Sequence, residues 1–575
     1  MGRRAGKTSG VGDVVVLAAL LGLAGGVVVP TTYGDVNGAE LPTSFIGGAV
    51  FDRIYTFKGI PYAAPPVGDL RWRPPQDPSS WTGVRDASEF GNRCPQIFNP
   101  DDVPLIDPIW AETIFFHSKA EGEDCLFLNV YTPKVDATAN LPVMVWLHGG
   151  GLIGGSGDTY PAEIPTAFHN VVMVTVNYRL SNLGFMPTLD DDSPGNFGLV
   201  DVMKSLEWVQ GNIRNFGGDP DRVTIFGESG GAWAVSLLVM SPMATGLFHR
   251  AISQSGVAGV QSSQKGDLTR TETLARGLNC TTASYDDMMS CLRGKSSQEI
   301  TKTLDPNLAF MMNVSVVVGG SFLPESPWDM MHKKQVNKVD YLLGTNNDEF
   351  GFCMVGVLGP AFMTTDEMTR TEFEDNLPNH LLWVADYLGG RPSALVKPVT
   401  DQYLDTDTAD DPVATRGRYL QHLTDSWFTA PTPTLSESTS TSSKTHTSYF
   451  TTRPARVRAD HADDLWYLFG VPLMRDENAA WKYNFSEEER ELSLDMMAYW
   501  VNFAANGDPN DFSGAARMRD LAKWPRHTPS GQEYLRLNVT SSADVRLRES
   551  RMKFWNEEVP RLMGKKIRTA RPDEL

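Results

Sequence analysis

The first candidate for chemistry in this sequence is a serine that stands between small residues. Residues 227–231 are Gly-Glu-Ser-Gly-Gly, which places Ser229 in a G-x-S-x-G pattern. An apolar β-type run ends at Phe226 and a helical run begins near Ala232, so the pattern predicts a sharp turn from a strand into a helix. Such a turn exposes the hydroxyl group and puts it beside the positive end of the helix dipole. We therefore predict that Ser229 is a nucleophile that attacks a carbonyl carbon.

A run of three glycines supplies the second part of this chemistry. Residues 148–151 are His-Gly-Gly-Gly and follow a short apolar run. Because glycine carries no side chain, the amides of Gly150 and Gly151 can turn toward a negatively charged oxygen, and the amide of Gly230 would complete the site. One donor of this kind stabilises a transition state by about 3 kcal/mol. The pattern predicts a three-donor oxyanion hole, with His148 in a structural role that holds the glycine loop.

A serine nucleophile needs a general base and an acid that orients it, and in folds with this turn both follow the serine along the chain. Among the histidines after Ser229, His461 precedes the last long helix and a strand-like run at 465–469, where a late loop can reach the nucleophile. A strand-like run between the two leads into adjacent carboxylates, Asp348 and Glu349. Neighbouring residues of this kind face opposite ways, and the spacing alone does not choose between them.

The elements that must position these residues alternate between strands and helices. Apolar runs typical of buried parallel strands are separated by helical stretches; the runs lie at 143–147, 171–176, 223–226 and 339–343, and the helices at 202–216 and 232–240. This alternation predicts an α/β fold in which a large, mostly parallel and twisted central sheet is flanked by helices. Since no repeat or linker divides the chain, we expect one domain from 27 to 560.

Two later segments give local predictions. A capping box formed by Ser486 and Glu489 predicts the start of a long helix at 487–505, with Gly507 just past its end. By contrast, residues 431–448 are rich in Ser and Thr and contain few side chains that could pack, which predicts an exposed loop.

Composition and charge exclude several classes of protein. The chain has 575 residues, of which 41% are hydrophobic, enough to form a large packed core and to exclude wholesale disorder. Its 70 acidic and 51 basic side chains give a net charge of −19, which repels phosphate backbones and argues against a nucleic-acid partner. The five cysteines allow two disulfides and one thiol in an oxidising compartment.

Both ends of the chain carry targeting patterns. A basic start, an apolar run and small residues predict that 1–26 is a signal peptide, and that no integral membrane segment remains after its removal. Residues 561–575 form a tail that ends in Asp-Glu-Leu, which resembles the signal bound by a retention receptor. We expect residence in the endoplasmic reticulum lumen, with secretion as the alternative. Four glycosylation sequons agree with this route: Asn279, Asn313, Asn484 and Asn538.

Ordered motifs along the chain resemble those of the type-B carboxylesterase/cholinesterase family of α/β-hydrolases, from about residue 27 to 560. Besides the serine turn and the glycine run, they lie at 57–62, 123–131, 177–180, 195–199, 216–220 and 506–510. The resemblance implies a Ser–Glu–His triad. Its acid lies in an Asn-x-x-Glu context, which selects Glu349, and its base precedes a Phe-Gly pair, which selects His461 as the partner of Ser229. It implies no metal and no organic cofactor.

The resemblance also assigns the cysteines. It pairs Cys94 with Cys125 and Cys280 with Cys291, each closure being worth about 3 kcal/mol, and it leaves Cys353 as a small buried thiol. Three positions depart from the family pattern without removing a reacting atom: Gly230 where Ala is usual, Ala462 where Gly is usual, and Val202 where Gln is common.

The activity that the resemblance implies is that of a serine carboxylic ester hydrolase, which forms an acyl-enzyme on Ser229. Its small-molecule substrates would be apolar carboxylic esters, with thioesters, amides and acylglycerols as further members, as in animal lumenal carboxylesterases. A hydrolase of choline esters is an alternative. Cholinesterases, however, place a Trp about ten residues before the cysteine that corresponds to Cys125 in this chain. This chain has Phe115 there, and its nearest upstream Trp is Trp110. A non-catalytic adhesion protein of the same fold is disfavoured because all three triad residues are present. The sequence does not indicate an oligomeric state.

Overall fold

We describe the protein from a computed structural model, which covers residues 26–96, 120–189, 195–258, 262–303, 314–351, 365–382, 384, 388, 390–404, 411–432, 444–448, 459–475, 485–512 and 520–565. Only the backbone is described at 444–448. Several positions singled out above lie outside these ranges: residues 1–25, Trp110, Phe115, Asn313, Cys353, Asn484 and residues 566–575.

The described ranges contain fifteen strands, of which thirteen form one sheet. The strands are β1 (Val27–Thr31), β2 (Gly34–Pro42), β3 (Arg53–Pro61), β4 (Val84–Asp86), β5 (Phe127–Thr132), β6 (Leu141–Leu147), β7 (Val172–Val176), β8 (Gly218–Glu228), β9 (Arg250–Gln254), β10 (Ser262–Gln264), β11 (Val316–Val318), β12 (Asp340–Asn346), β13 (Lys444–Ser448), β14 (Glu533–Leu537) and β15 (Ser542–Val545). The large sheet has the order β1-β2-β3-β5-β7-β6-β8-β9-β12-β13-β14-β15, with β4 beside β2, while β10 pairs with β11 separately.

The centre of the large sheet is parallel and its edges are antiparallel. Seven strands, from β7 through β6, β8, β9, β12 and β13 to β14, run in one direction. The pairs β1–β2, β2–β3, β3–β5, β5–β7 and β14–β15 are antiparallel. This arrangement confirms the predicted α/β fold, and it brings the loops that follow β6, β8 and β12 to one edge of the sheet.

Helices pack on both faces of this sheet. They are α1 (Glu163–Phe168), α2 (Ser181–Phe185), α3 (Phe197–Asn212), α4 (Gly230–Met240), α5 (Thr269–Gly277), α6 (Tyr285–Arg293), α7 (Ser297–Lys302), α8 (Pro327–His332), α9 (Arg370–His380), α10 (Val396–Tyr403), α11 (Pro412–Thr424), α12 (Asp463–Leu468), α13 (Glu487–Asn506), α14 (Glu549–Lys553) and α15 (Val559–Leu562). Asp425–Thr429 and Phe554–Glu558 are π-helical turns. Within the described part of the chain, no helix is long and apolar enough to cross a membrane.

The side chains of β6 point alternately to the two faces of the sheet, and this alternation shows how the layers form. Val143 and Val145 join a core with side chains of α3 and α4, whereas Met144 and Trp146 point to the other face and join a core with α12 and α13. A third core, made by α9, α10, α11 and the helices after residue 548, lies beside these layers. The long helix α13 begins at the predicted capping box and ends at Asn506, with Gly507 just past its end, as its sequence indicated.

Two local predictions were wrong. Residues 465–469, predicted as a strand, lie in and just after helix α12, because a short and fully buried apolar run has no periodicity that separates strand from helix. Two aspartates in the first turn of α12 also favour a helix start. Part of the predicted exposed loop 431–448 forms β13, which pairs in parallel with β12 and β14. There, pairing with two neighbouring strands outweighs the polar composition.

Candidate active site

The serine turn has the geometry that its sequence predicts. Strand β8 ends at Glu228 and helix α4 begins at Gly230, so Ser229 alone forms the turn, with φ 55° and ψ −122°. A positive φ is strained for a residue with a side chain, and strain of this kind concentrates at functional sites. The amide of Ser229 donates to the carbonyl of Gln254 at 2.9 Å, which holds the turn against β9. A methyl group at Gly231 would lie 1.9 Å from the carbonyl oxygen of Leu147, so the close packing of β6 requires glycine there.

The glycine run lies directly against this turn. Gly150 and Gly151 have φ values of 101° and 63°, a backbone conformation that favours glycine. A methyl group at Gly230 would lie 2.7 Å from the amide nitrogen of Gly151, and one at Gly149 would lie 3.3 Å from Cβ of Ser229. As the first residue of α4, Gly230 has an amide without an acceptor inside the helix. The structure therefore brings together the three glycines predicted to supply an oxyanion hole.

His148 is buried under the glycine loop. Its Nδ1 donates to the carbonyl of Gly149 at 2.9 Å, and its ring stacks on Tyr178 with centroids 4.4 Å apart. The Tyr178 hydroxyl donates to the carbonyl of His148 at 2.7 Å. Burial disfavours the charged ring and lowers the pKa of His148 to about 4, so the ring is neutral at pH 7. These contacts agree with the structural role predicted for His148.

A buried hydrogen bond joins the predicted acid and base. His461 Nδ1 donates to Oε2 of Glu349 at 2.6 Å, although 112 residues separate them. The other oxygen of Glu349 accepts from the amide of Asn346 at 2.6 Å, and the carboxylate has no solvent exposure. Asp348, the alternative acid, instead donates its amide to the carbonyl of Ala459 at 2.8 Å. The structure thus places Glu349 against the imidazole.

A second carboxylate that the sequence analysis did not single out also faces this histidine. Oε1 of Glu228 lies 3.1 Å from Nε2 of His461, and both side chains are buried. Burial raises the pKa of Glu228 to about 8. For His461, burial lowers the pKa, but the negative charges of Glu228 and Glu349 outweigh this effect and raise it to about 9. The position of Glu228 next to the nucleophile was the signal in the sequence, since the residue before Ser229 lies at the same strand end.

A network of buried polar side chains connects the turn at 346–349, which carries Glu349 and is called the acid turn below, with the loop at 459–462, which carries His461 and is called the histidine loop. Asn346 Nδ2 donates to the carbonyl of Asp460 at 2.7 Å and to Oδ1 of Asp464 at 3.1 Å. Oδ2 of Asp464 accepts from Gln254 at 2.5 Å, and Oε1 of Gln254 accepts from Trp500 at 3.0 Å. Sequence reasoning missed these residues because no local pattern connects positions that lie more than 100 residues apart. The network holds β9, the acid turn and the histidine loop in one arrangement.

Both predicted disulfides are present. Cys94 and Cys125 are bonded with 5.0 Å between their Cα atoms, and Cys280 is bonded to Cys291 with 5.7 Å between theirs. Next to the first bridge, the side chain of Gln96 makes two hydrogen bonds with the backbone of Gly155. This disulfide therefore supports the region of the glycine loop.

Two of the four predicted glycosylation sites, Asn279 and Asn538, lie among the residues that the structure describes. The side chain of Asn279 is exposed, and that of Asn538 is half-buried. In the residues that the structure describes, no three His, Cys, Asp or Glu side chains are grouped in a way that could hold a metal ion.

Comparison with known proteins shows the family of this chain. The carboxylesterase family matches residues 26–555. The chain is 36% identical to carboxylesterase 3B of Mus musculus, over 95% of this chain and 93% of that protein. It is 35% identical to the medium-chain fatty acyl-CoA hydrolase precursor of Anas platyrhynchos, over 94% of both chains, and 35% identical to the cocaine esterase of Homo sapiens, over 88% of both. With its α/β-hydrolase fold, the chain therefore belongs to the carboxylesterase family and is a carboxylic ester hydrolase.

Proposed function

We propose that this protein is a serine carboxylesterase that cleaves apolar carboxylic esters through an acyl-enzyme on Ser229. The observation that carries the proposal is the 2.6 Å hydrogen bond between His461 and Glu349. It fixes the imidazole with Nδ1 as donor, so Nε2 of the neutral ring, which lies 3.1 Å from Oε1 of Glu228, is the nitrogen that can accept a proton. The strand-to-helix turn of Ser229 and the glycines at its side supply the other groups that acyl transfer needs.

In the acylation step, Oγ of Ser229 attacks the ester carbonyl while His461 Nε2 takes the hydroxyl proton. The carbonyl oxygen gains negative charge and accepts hydrogen bonds from the amides of Gly150, Gly151 and Gly230. Glu349 stabilises the imidazolium that forms. Collapse of the tetrahedral intermediate breaks the ester C–O bond, and His461 returns its proton to the leaving alcohol.

Deacylation repeats these roles with water as the nucleophile. His461 takes a proton from water, the hydroxide attacks the acyl carbon, and the same three amides stabilise the second intermediate. When that intermediate collapses, the imidazolium protonates Oγ of Ser229 and the carboxylic acid is released. No step requires an oxidant, a reductant or a second substrate besides water.

A nucleophile test distinguishes this proposal from other routes of hydrolysis. Ser229→Ala should lower kcat with a short p-nitrophenyl ester by about 10⁴-fold or more, and it should abolish covalent labelling by an organophosphate. Ser236→Ala is the matched control, because this buried serine lies on the same helix and its hydroxyl bonds the carbonyl of Trp233. Peptide mass spectrometry should locate the label on Ser229. Undiminished turnover by Ser229→Ala would refute the proposal.

The substrate class needs a panel of esters. We propose apolar acyl esters as the main substrates, with thioesters included because one relative is named as a fatty acyl-CoA hydrolase. Amides and acylglycerols are further candidates. kcat/KM should be measured for acyl chains of two to sixteen carbons as p-nitrophenyl esters, for the matching acyl-CoA thioesters, and for a choline ester. A choline ester preferred tenfold or more over its uncharged isostere would replace our substrate class with the cholinesterase type.

We further propose that the protein acts in the endoplasmic reticulum lumen, after removal of a signal peptide at 1–26 and with a tail at 561–575 that a retention receptor binds. Its two disulfides support an oxidising compartment. The proposed glycan sites are Asn279, Asn313, Asn484 and Asn538, of which Asn279 is exposed. Deletion of the last three residues should cause secretion from expressing cells, and a glycosidase should reduce the apparent mass. Unchanged retention would contradict the role of the tail.

A further inference from the structure

An arginine near the C-terminus connects two elements that contact the acid and the base. Arg548 precedes helix α14, and its side chain is only 10% exposed. Nη1 donates to Oδ1 of Asp425 at 2.5 Å. Nη2 donates to the carbonyl of Asn347 at 2.5 Å and to its side-chain oxygen at 3.2 Å. A single guanidinium therefore bridges two segments that lie 123 and 201 residues before it in the chain.

One end of this bridge is the turn that carries the acid. Both neighbours of Asn347 make contacts at the site. The amide of Asn346 donates to Glu349 at 2.6 Å, and Asp348 forms a β-bridge with Asp460 of the histidine loop. The backbone from Asn346 to Glu349 therefore sets where the carboxylate lies. Arg548 bonds a carbonyl of this backbone and is therefore in direct contact with the acid turn.

The other end is the π-helical turn Asp425–Thr429, which packs against the base. The ring of Phe428 lies 4.9 Å from the ring of His461 and 5.9 Å from Phe350, the residue after Glu349. Asp425, at the start of the turn, is fully buried. Single π-helical turns within helices occur frequently at functional sites.

Asp425 has partners besides Arg548. Its Oδ2 also accepts from the Tyr403 hydroxyl at 2.7 Å and lies 3.1 Å from Nη1 of Arg551. Tyr403 in turn accepts from the indole of Trp555 at 2.8 Å. Arg551 and Arg548 therefore share one carboxylate, but a bond to the acid turn is described for Arg548 and not for Arg551. This difference allows the two arginines to be compared.

We propose that Arg548 is a positioning residue for the Glu349–His461 pair, because it ties the acid turn at Asn347 to the π-helical turn that packs on the imidazole. The inference rests on the proposed triad. It makes the helices after residue 548 part of the support of the active site. A planar guanidinium donates in two directions at fixed geometry, which a lysine ammonium on a flexible stem does not reproduce.

The experiment compares Arg548→Met with Arg551→Met in the full-length protein. Active sites are counted by organophosphate labelling, so that kcat refers only to folded enzyme. Arg548→Met should lower kcat per labelled site by about 10- to 100-fold with KM within twofold, because small misplacements of catalytic groups cost about that much. Arg551→Met loses a contact with the same carboxylate and should keep kcat within twofold. Arg548→Lys, which keeps the charge beside Asp425, should fall between them and provides a variant if the Met form does not fold.

The pH profile separates positioning from general structural support. The groups around His461 are Glu228 on β8, Glu349 on the acid turn, Asp460 on its own loop and Asp464 in the first turn of α12. Since Glu349 raises the pKa of His461, a looser acid turn should move the acid limb of kcat/KM to lower pH in Arg548→Met and not in Arg551→Met. Equal kcat per labelled site in both variants, with unmoved limbs, would overturn the inference. If wild-type enzyme is not labelled at Ser229, the proposed function has failed, which is a different outcome.

Discussion

The close approach of Glu228 to His461 makes a prediction about the pH dependence of catalysis. His461 must be neutral to accept a proton, so its pKa sets the acid limb of kcat/KM. Burial lowers this pKa, while Glu228 and Glu349 raise it, to about 9. Glu228→Gln keeps the size and polarity of the side chain but removes its charge. The acid limb should therefore move to lower pH, and activity at pH 6 should rise relative to activity at the plateau.

The size of this shift follows from the distance between the two groups. Unit charges separated by 3.1 Å attract by about 5 kcal/mol in an effective dielectric of about 20, which corresponds to an upper limit of almost four pKa units. Glu228 has a pKa raised to about 8 and is therefore mostly ionised where His461 titrates, near 9, so its charge acts on this limb. Opposite charges within about 4–6 Å usually move a pKa by about one to three units, and we expect the limb to move by about one to two units.

The assay is kcat/KM for a neutral p-nitrophenyl ester from pH 5 to 10 at constant ionic strength. Glu489→Gln is the matched control, because Glu489 is also buried but bonds Tyr467 and the start of α13 instead of the imidazole. Its acid limb should coincide with that of the wild type. A limb that moves by less than about 0.3 units in Glu228→Gln would refute the reasoning, since no interaction of the stated size could then exist.

Three further variants test other parts of the structure. Gly230→Ala should lower kcat by about 10- to 100-fold with KM little changed, because the new methyl group would lie 2.7 Å from the amide nitrogen of Gly151. The variant should also bind a trifluoromethyl ketone more weakly, and an unchanged kcat would contradict the prediction. Asp201→Asn should lower the free energy of unfolding in urea by about 3–5 kcal/mol, because it removes a buried carboxylate to which two nitrogens of Arg179 donate at 2.7 Å. A decrease in that free energy of less than about 1 kcal/mol would contradict the prediction. Cys280→Ala opens a loop with a sequence separation of 11 and should cost about 3 kcal/mol in thermal unfolding, with kcat unchanged.

The parts of the fold that the sequence predicted well are those that local patterns determine. The runs at 143–147 and 171–176 became β6 and β7 because buried parallel strands are apolar along their whole length. The start of α13 followed from the reciprocal bonds of Ser486 and Glu489, which need only three residues of separation. The turn at Ser229 was also local, since small residues must flank a strained backbone.

What the sequence did not predict depends on contacts between distant segments. The choice of Glu349 over Asp348 came from a family resemblance, and in the structure it depends on how β12 aligns with the loop at Asp460. The buried network of Asn346 and Asp464 and the bridge made by Arg548 have no sequence signal, because each joins positions more than 100 residues apart. The approach of Glu228 to His461 had only an indirect signal, its place beside the nucleophile.

The two departures nearest the triad act on the backbone and leave the reacting atoms in place. Ala462, where glycine is usual, has a φ of 65°, a left-handed conformation that costs a residue with a side chain about 1–2 kcal/mol. Two hydrogen bonds across the same turn offset this cost: the amide of Asp460 donates to the carboxylate of Asp463 at 2.8 Å, and the amide of Asp463 donates to the carbonyl of Asp460 at 3.2 Å. Each is worth about 1 kcal/mol, so the turn that presents His461 can form without glycine. Gly230, where alanine is usual, has the opposite effect on packing, since the missing methyl group lets the backbone of Gly151 lie closer to Gly230 than a Cβ would allow.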